Sequence, residues 1–169
     1  ERQRGWDARC QRLMGDAHEV AGRHEAAVTA WRAALAAQDE LLPSLGPRDE
    51  RLTEVFVDRG RVHFALGQPD EGLKAFDRAL EVGSDRADTY VDVLAFLTPR
   101  GYLEQVVAVY HQALARPGQE VSEYFKVYAS FWVLDLLQRR GLPPDGLAVG
   151  YLEALDGTRW YHELARFVL

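Results

Sequence analysis

One sequence pattern occurs three times, as GRHEAAVTAWRAAL in residues 22–35, GQPDEGLKAFDRAL in residues 67–80 and GYLEQVVAVYHQAL in residues 101–114. Each copy has a glycine, an acidic residue three positions later, an aromatic residue six positions after that, and a closing Ala-Leu pair. The second and third glycines are 34 residues apart and the first and second 45, which is the same unit with about 11 residues inserted. A regular period of this length predicts a repeat architecture, in which each unit buries its apolar face against its neighbours.

Apolar residues recur at helical spacing on both sides of each glycine, so each unit is predicted to be two helices joined by a glycine turn. The predicted pairs are 8–21 with 25–41, 50–66 with 70–81, and 87–98 with 103–115. The inserted segment is expected to lengthen the second helix, with Asp49 capping the next one. Pro99 is expected to shorten the first helix of the third pair, because the residue before a proline avoids the helical conformation.

A fourth unit is degenerate, with helices predicted at 121–140 and 146–155. The whole chain, residues 1–169, is therefore interpreted as one repeat domain, with repeats at 8–52, 53–86, 87–120 and 121–157 and the start of a terminal helix at 158–169. It lacks an initiator Met and stops within a helical pattern, which indicates a fragment of a longer protein.

These patterns resemble the tetratricopeptide repeat (TPR) family, whose period is 34 residues. The family's motif positions are held in the second unit by Phe56, Arg59, Gly60, His63, Gly67, Gly72, Phe76, Ala79 and Ser84. In the first unit they are Gln11, Met14, Gly15, His18, Gly22, Ala27, Trp31, Ala34 and Asp39, and in the third Tyr90, Val93, Leu94, Leu97, Gly101, Val106, Tyr110, Ala113 and Gly118. The resemblance implies a right-handed α-solenoid of antiparallel helix pairs.

Small residues at four motif positions predict where helices approach each other closely. Gly15 and Gly60 are expected to face the second helix of their own pairs, and Ala34 and Ala79 the neighbouring pair, because larger side chains would exceed the 8–10 Å helix spacing. The recurring aromatic residues, of which Trp31 is the first, are expected to be core residues rather than a ligand cage.

Composition excludes several classes of function. The net charge is −6, from 26 acidic and 20 basic residues, which argues against nucleic-acid binding. The one cysteine, Cys10, allows no intramolecular disulfide, and no apolar run is long enough to cross a membrane. The chain is expected to be soluble, with the cytoplasm favoured. Only two of the basic residues are lysines, which is typical of a GC-rich, bacterial source.

The TPR resemblance implies that the first helix of each pair lines a concave groove. The implied groove positions are Arg9, Arg12, Leu13, Asp16, Glu19, Glu54, Val57, Asp58, Arg61, Phe64, Asp88, Val91, Asp92, Ala95 and Thr98. Six acids against three arginines favour a partner of basic or mixed charge. We expect contacts at Arg12, Asp16, Asp58, Arg61 and Asp92. The alternative is that these charged side chains form a solvent-exposed face that binds no partner. The Lys and Asn residues with which some family members hold chaperone tails are absent from these positions, so that partner is not expected.

The first helix of the fourth unit has more apolar residues than one buried stripe needs. They are Tyr124, Phe125, Tyr128, Phe131, Trp132, Leu134, Leu136 and Leu137. Such a helix is either enclosed, here by Trp160, Tyr161 and Phe167, or offers a hydrophobic binding face. Phe131 and Trp132 are the candidate anchors for a partner in the second case.

The histidines do not form a catalytic or metal-binding pattern. His18 and His63 share a motif position that packs between helices, and the His18-Glu19 pair lacks the second histidine of a zinc motif. No enzyme activity, cofactor or metal is therefore expected. The sequence predicts an adaptor that binds a peptide or protein segment as a monomer or with weak self-association. A scaffold that stacks end to end and a regulatory sensor array attached to an enzyme or transcription domain are the alternatives.

Overall fold

The computed structural model of the chain describes residues 2–47, 49–83, 85–117 and 121–168, with the side chains of 6–47, 49–83, 85–117 and 121–167. Ser84 and Gly118, to which the motif assigns the last positions of the second and third repeats, lie outside the described residues. Residues 1, 119–120 and 169, at predicted repeat or domain ends, also lie outside them.

The described residues form nine α-helices and no strand, which confirms the predicted all-α class. The helices are α1 (Arg2–Val20), α2 (His24–Leu41), α3 (Arg51–Ala65), α4 (Pro69–Val82), α5 (Ala87–Leu97), α6 (Leu103–Ala115), α7 (Glu123–Arg139), α8 (Gly146–Glu153) and α9 (Trp160–Val168). Short 3₁₀ turns, Leu42–Ser44 and Thr98–Arg100, follow α2 and α5. None of the described helices is both long and apolar enough to cross a membrane.

The chain divides into two compact units, Glu1–Gly83 and Ser84–Leu169, called here the N-terminal and C-terminal units. In the N-terminal unit α1 packs on α2 and α3 on α4, while α3 also contacts α1 and α2. In the C-terminal unit α5 packs on α6 and α7 on α8, and α9 contacts α7 and α8. Each predicted pair of neighbouring helices is therefore present.

Each of these four pairs turns at a glycine whose φ, between 67° and 78°, lies in the left-handed region. The turn glycines are Gly22, Gly67, Gly101 and Gly141. The N–H of the following residue donates to the carbonyl five residues before it, at N···O distances of 2.9 to 3.4 Å. This is the Schellman ending of a helix, in which glycine adopts the left-handed conformation without a Cβ clash. The fourth pair thus keeps the turn of the other three.

Gly15 and Gly60, the two glycines predicted to face a second helix, lie where an aromatic ring of that helix packs against the first helix. A Cβ added to Gly60 would lie 2.5 Å from Cε1 of Phe76, and one added to Gly15 would overlap the indole ring of Trp31. Trp31 and Phe76 are buried, as is Ala34, which packs with Val62 of α3. The predicted register of both pairs is confirmed.

The helix ends follow local sequence. The N–H of Arg51 donates to Oδ1 of Asp49 at 3.0 Å, so Asp49 satisfies a backbone donor at the start of α3 from one position before the N-cap residue, Glu50. The first helix of the third pair stops at Leu97, two residues before Pro99. The α1 helix begins six residues before its predicted start. The α7 helix begins two residues after its predicted start, because Ser122 caps it by accepting a hydrogen bond from the N–H of Phe125.

Candidate functional site

Four predicted partner-binding residues meet in the N-terminal unit, in what we call the Arg12 cluster: Arg12 and Asp16 on α1, and Asp58 and Arg61 on α3. Nη1 of Arg12 lies 2.7 Å from Oδ2 of Asp16, and its Nε lies 3.0 Å from Oδ1 of Asp58. Nη1 of Arg61 is 3.7 Å from the same Asp58 oxygen. The first helices of the two pairs therefore contact each other through charged side chains.

Asp16 also connects this cluster to the core. Its Oδ1 accepts a hydrogen bond from the indole Nε1 of Trp31 at 3.0 Å. Sequence reasoning missed this contact and assigned Asp16 to the groove alone. The available clue was that a buried tryptophan N–H needs an acceptor, and Asp16 follows Gly15, which was already predicted to face α2.

Burial differs strongly among the four side chains. Arg12 is only 8% exposed, whereas Asp16 and Arg61 are partly accessible. Burial raises the pKa of Asp58, although the nearby charges of Arg12, Arg61 and Arg9 act to lower it. Arg12 and Asp58 thus form a largely buried ion pair between helices, and Asp16 and Arg61 are the more accessible members of the cluster. Because two arginines offset two aspartates, any preference for a basic partner must come from surrounding carboxylates.

A cleft of about 210 Å³ lies beside the Arg12 cluster, and we call it the Gln38 cleft. It is formed by the start of α1, the end of α2 and the start of α3. Its lining residues are Trp6, Ala8, Arg9, Gln38, Leu41, Arg51, Glu54, Val55 and Asp58. Gln38 is 1% exposed, and its Oε1 is buried without a hydrogen-bond partner. Gln38 therefore lines the cleft, while its unsatisfied Oε1 lies beneath the cleft surface.

Sequence reasoning did not find this cleft, although one feature points to it. The buried face of α2 includes Ala27, Trp31, Ala34, Gln38 and Leu41, and Gln38 is its polar member. A polar side chain on an apolar helix face is expected to have a hydrogen-bonding role. What the sequence could not show is that α1 and α3 leave space in front of it.

The remaining predicted site residues lie in the C-terminal unit. Asp92 is exposed on α5. Phe131 and Trp132 on α7 are half-buried, and Phe131 packs against a core of Val127, Leu152, Tyr161 and Ala165. The Phe131 side of α7 is thus enclosed, partly by Tyr161 as the sequence suggested, whereas Phe167 is exposed.

The exposed aromatic surface of α7 lies at its start instead. Tyr124 and Tyr128 are both more than one-third exposed, with ring centroids 4.7 Å apart. Trp160 of α9 packs edge-on against both rings, at 6.2 and 6.1 Å. Trp160 therefore partly covers Tyr124 and Tyr128, in agreement with the enclosing role that the sequence suggested for it.

Beside these rings, Glu123 joins α7 to α9. Its Oε1 accepts from the Tyr161 hydroxyl at 2.9 Å and lies 2.8 Å from Nε2 of His162. Hydrogen bonds from His162 and Tyr161 lower the pKa of Glu123. In the same unit, His111 lies 2.9 Å from Asp145, whose other oxygen caps α8. These histidines hold helices together.

The histidines of the predicted packing position have equivalent contacts. Nδ1 of His18 accepts from Nε of Arg23 at 3.0 Å, and Nδ1 of His63 lies 2.8 Å from Oε1 of Gln68. Each histidine thus contacts the residue five positions later, across the glycine turn of its own helix pair. Both imidazole rings are half-buried. In the part of the chain that the structure describes, no group of three or more His, Cys, Asp or Glu side chains is placed to hold a metal ion.

No protein-family model matches the sequence, and comparison with curated proteins and with solved structures gave no significant match.

Proposed function

We propose that this chain is a protein–protein interaction module, an adaptor or scaffold rather than an enzyme, that binds a peptide or protein segment. In this proposal the helix pairs stack as TPR-like repeats into a right-handed α-solenoid, and the first helix of each pair lines the concave groove. The partner carries basic or mixed charge, and it contacts Asp16 and Arg61 in the N-terminal unit and Asp92 in the C-terminal unit.

The observation that carries this proposal is the polar contact between first helices. Each pair in the N-terminal unit uses its glycine and aromatic residues to pack first helix on second, through Gly15 with Trp31 and Gly60 with Phe76. The faces of α1 and α3 that meet near Arg12 are charged instead. Arg12 and Asp58 join the two helices, while Asp16 and Arg61 stay partly accessible and can recognise another chain.

Position-dependent crosslinking tests this proposal. A photoreactive amino acid replaces Arg61 or Asp92 on first helices, and Arg32 or Lys74 on second helices as matched exposed controls. Crosslinks to one partner from the first-helix positions alone are the expected result in a lysate of the source organism. If the same partner is captured only from Arg32 and Lys74, the groove does not carry the function.

A self-assembling scaffold is the second candidate, because apolar side chains are exposed on the first and last helices in chain order, α1 and α9. Leu13 and Met14 are half exposed on α1, while Val20 of α1 and Phe167 of α9 are almost fully exposed. Surfaces of this kind favour association of copies. Light scattering decides this alternative: a mass that rises with concentration, and falls to the monomer value in Met14→Glu, supports stacking.

A further inference from the structure

The α9 helix has two apolar faces. One face packs into the core of the C-terminal unit through Tyr161 and Ala165, which are buried. Trp160, Leu164 and Phe167 have the i, i+4, i+7 spacing of a second apolar stripe. On this stripe Leu164 is half-buried, while both aromatic side chains are mostly exposed. A helix with two apolar stripes is expected to have both of them covered.

The second stripe continues onto α7. Trp160 lies edge-on against the exposed rings of Tyr124 and Tyr128. Phe167 lies about two helical turns further along the same face of α9 as Trp160. We call this surface, made by Tyr124, Tyr128, Trp160 and Phe167, the Trp160 patch. It lies within the C-terminal unit.

The exposed area of the Trp160 patch can be compared with what a dimer needs. Its four side chains are between 40% and 88% exposed. Since an aromatic side chain can bury about 150 to 250 Å², the patch exposes about 350 to 600 Å² of aromatic surface. A standard interface covers about 800 Å² on each partner, including its polar rim. The patch together with its rim therefore reaches the low end of that size, which favours a weak, reversible association.

The charges beside the patch are balanced, which favours a second copy of this chain as the partner. Two acids, Glu123 and Glu163, and two arginines, Arg159 and Arg166, each directly precede an apolar residue of this surface. The whole chain has a net charge of −6, so two copies repel each other over most of their surfaces. A border without net charge lacks that repulsion, and it offers no net attraction to a strongly charged partner.

The order of charges along α9 fits a twofold axis. Glu163 and Arg166 are both exposed, and their spacing of three residues places them on the same flank of the stripe. Arg166 also donates from Nη2 to the carbonyl of Gly157 at 2.7 Å, which holds it at the surface. A twofold axis between two α9 helices makes them antiparallel and brings the same flank of each together, so Glu163 of each copy lies beside Arg166 of the other.

We infer that the chain forms a twofold symmetric dimer in which the Trp160 patches of two copies pack together. Phe167 of each copy packs against Trp160 of the other, and the opposite charges of the flanks pair. Because both copies use the same surface, this contact closes at two chains, unlike end-to-end stacking. The inference goes beyond the binding of a segment by the first helices, since α9 carries none of the residues assigned to that segment.

Sedimentation equilibrium of the chain at about 1 to 500 μM tests this inference. We expect reversible association that stops at twice the mass of one chain, with a dissociation constant on the order of 10 to 100 μM. Phe167→Glu should weaken it at least about tenfold, because it places a charge from each copy in the apolar contact. The matched control is Leu147→Glu on α8, which changes an exposed apolar side chain outside the patch and should leave the association unchanged. Circular dichroism checks that both variants keep their helices.

Charge reversal tests the twofold geometry. Glu163→Arg should weaken the dimer at least about threefold, and adding Arg166→Glu to the same chain should restore it, because each reversed charge again meets its opposite. Growth beyond two chains, an unchanged dimer in Phe167→Glu, or no recovery on double reversal overturns the inference. So does a chain that stays monomeric at about 500 μM, in which case the patch is left for a different protein. The crosslinks at Arg61 and Asp92 are a separate readout, so either proposal can fail alone.

Discussion

Replacing Trp31 by alanine is expected to be among the most destabilising single changes in the N-terminal unit. Trp31 is 3% exposed, packs with Ala27, Ala34 and Val62, and fills the space opposite Gly15. A buried tryptophan removes about 150 to 250 Å² from water, which at about 25 cal/mol per Å² corresponds to roughly 4 to 6 kcal/mol. Measured truncations of buried aromatic residues cost about 3 to 5 kcal/mol. We therefore expect a loss of about 3 to 5 kcal/mol.

The matched control is Trp160→Ala in α9, where the side chain is 56% exposed. It should cost about 1 kcal/mol or less. Urea unfolding followed by far-ultraviolet circular dichroism measures both variants without relying on tryptophan fluorescence, which each substitution alters. Separate transitions of the two units would be fitted individually. A loss below about 1 kcal/mol for Trp31→Ala, or equal losses for both variants, would refute the packing argument.

Three further changes test other contacts. Gly60→Ala should destabilise the N-terminal unit by about 1 to 3 kcal/mol, because the added methyl meets the Phe76 ring, whereas Gly150→Ala in α8, with open space around it, should stabilise by about 0.5 to 1 kcal/mol in thermal unfolding. The hydrogen bonds that lower the pKa of Glu123 stabilise the folded chain at pH values above the pKa of an unfolded glutamate, about 4.5. This stabilisation is lost as the pH falls through the lower pKa that Glu123 has in the folded chain. The difference in unfolding free energy between the unsubstituted chain and Glu123→Gln should thus be larger near pH 7 than near pH 3. A difference that grows on acidification would contradict the role given to these hydrogen bonds. Tyr110→Phe should cost about 1 kcal/mol by removing the 2.6 Å contact with Ser130 Oγ, and a double-mutant cycle with Ser130→Ala that shows no coupling would exclude that contact.

The helix pairs of this fold could be predicted from sequence because their determinants are local and periodic. The glycine of each repeated pattern is the left-handed residue of a turn, and the aromatic residue nine positions later is buried. Gly15 and Gly60 could be paired with Trp31 and Phe76 because helix spacing makes a small residue opposite a large one recognisable. The start of α1 was less predictable, since a helix end without a proline or a strong cap leaves little trace in the sequence.

The candidate site was only partly predictable, because side-chain partners across helices are not periodic. The family resemblance assigned Arg12, Asp16, Asp58 and Arg61 to groove positions, and the structure brings these four side chains into contact. The sequence could not show that Arg12 and Asp58 bury each other, or that Asp16 accepts the Trp31 hydrogen bond. The Gln38 cleft depends on how three helices from two pairs approach, which the sequence does not reveal.

The short glycine turns also bear on how the chain folds. Three residues separate α1 from α2, and three separate α3 from α4, so the contacts within each of these pairs join residues close in sequence. Domains dominated by such local contacts fold fast, because little chain entropy is lost in closing each loop. Each hairpin of helices is therefore expected to form early, and the docking of α3 onto the first pair, where Arg12 must lose its water before it meets Asp58, is expected to be the later step.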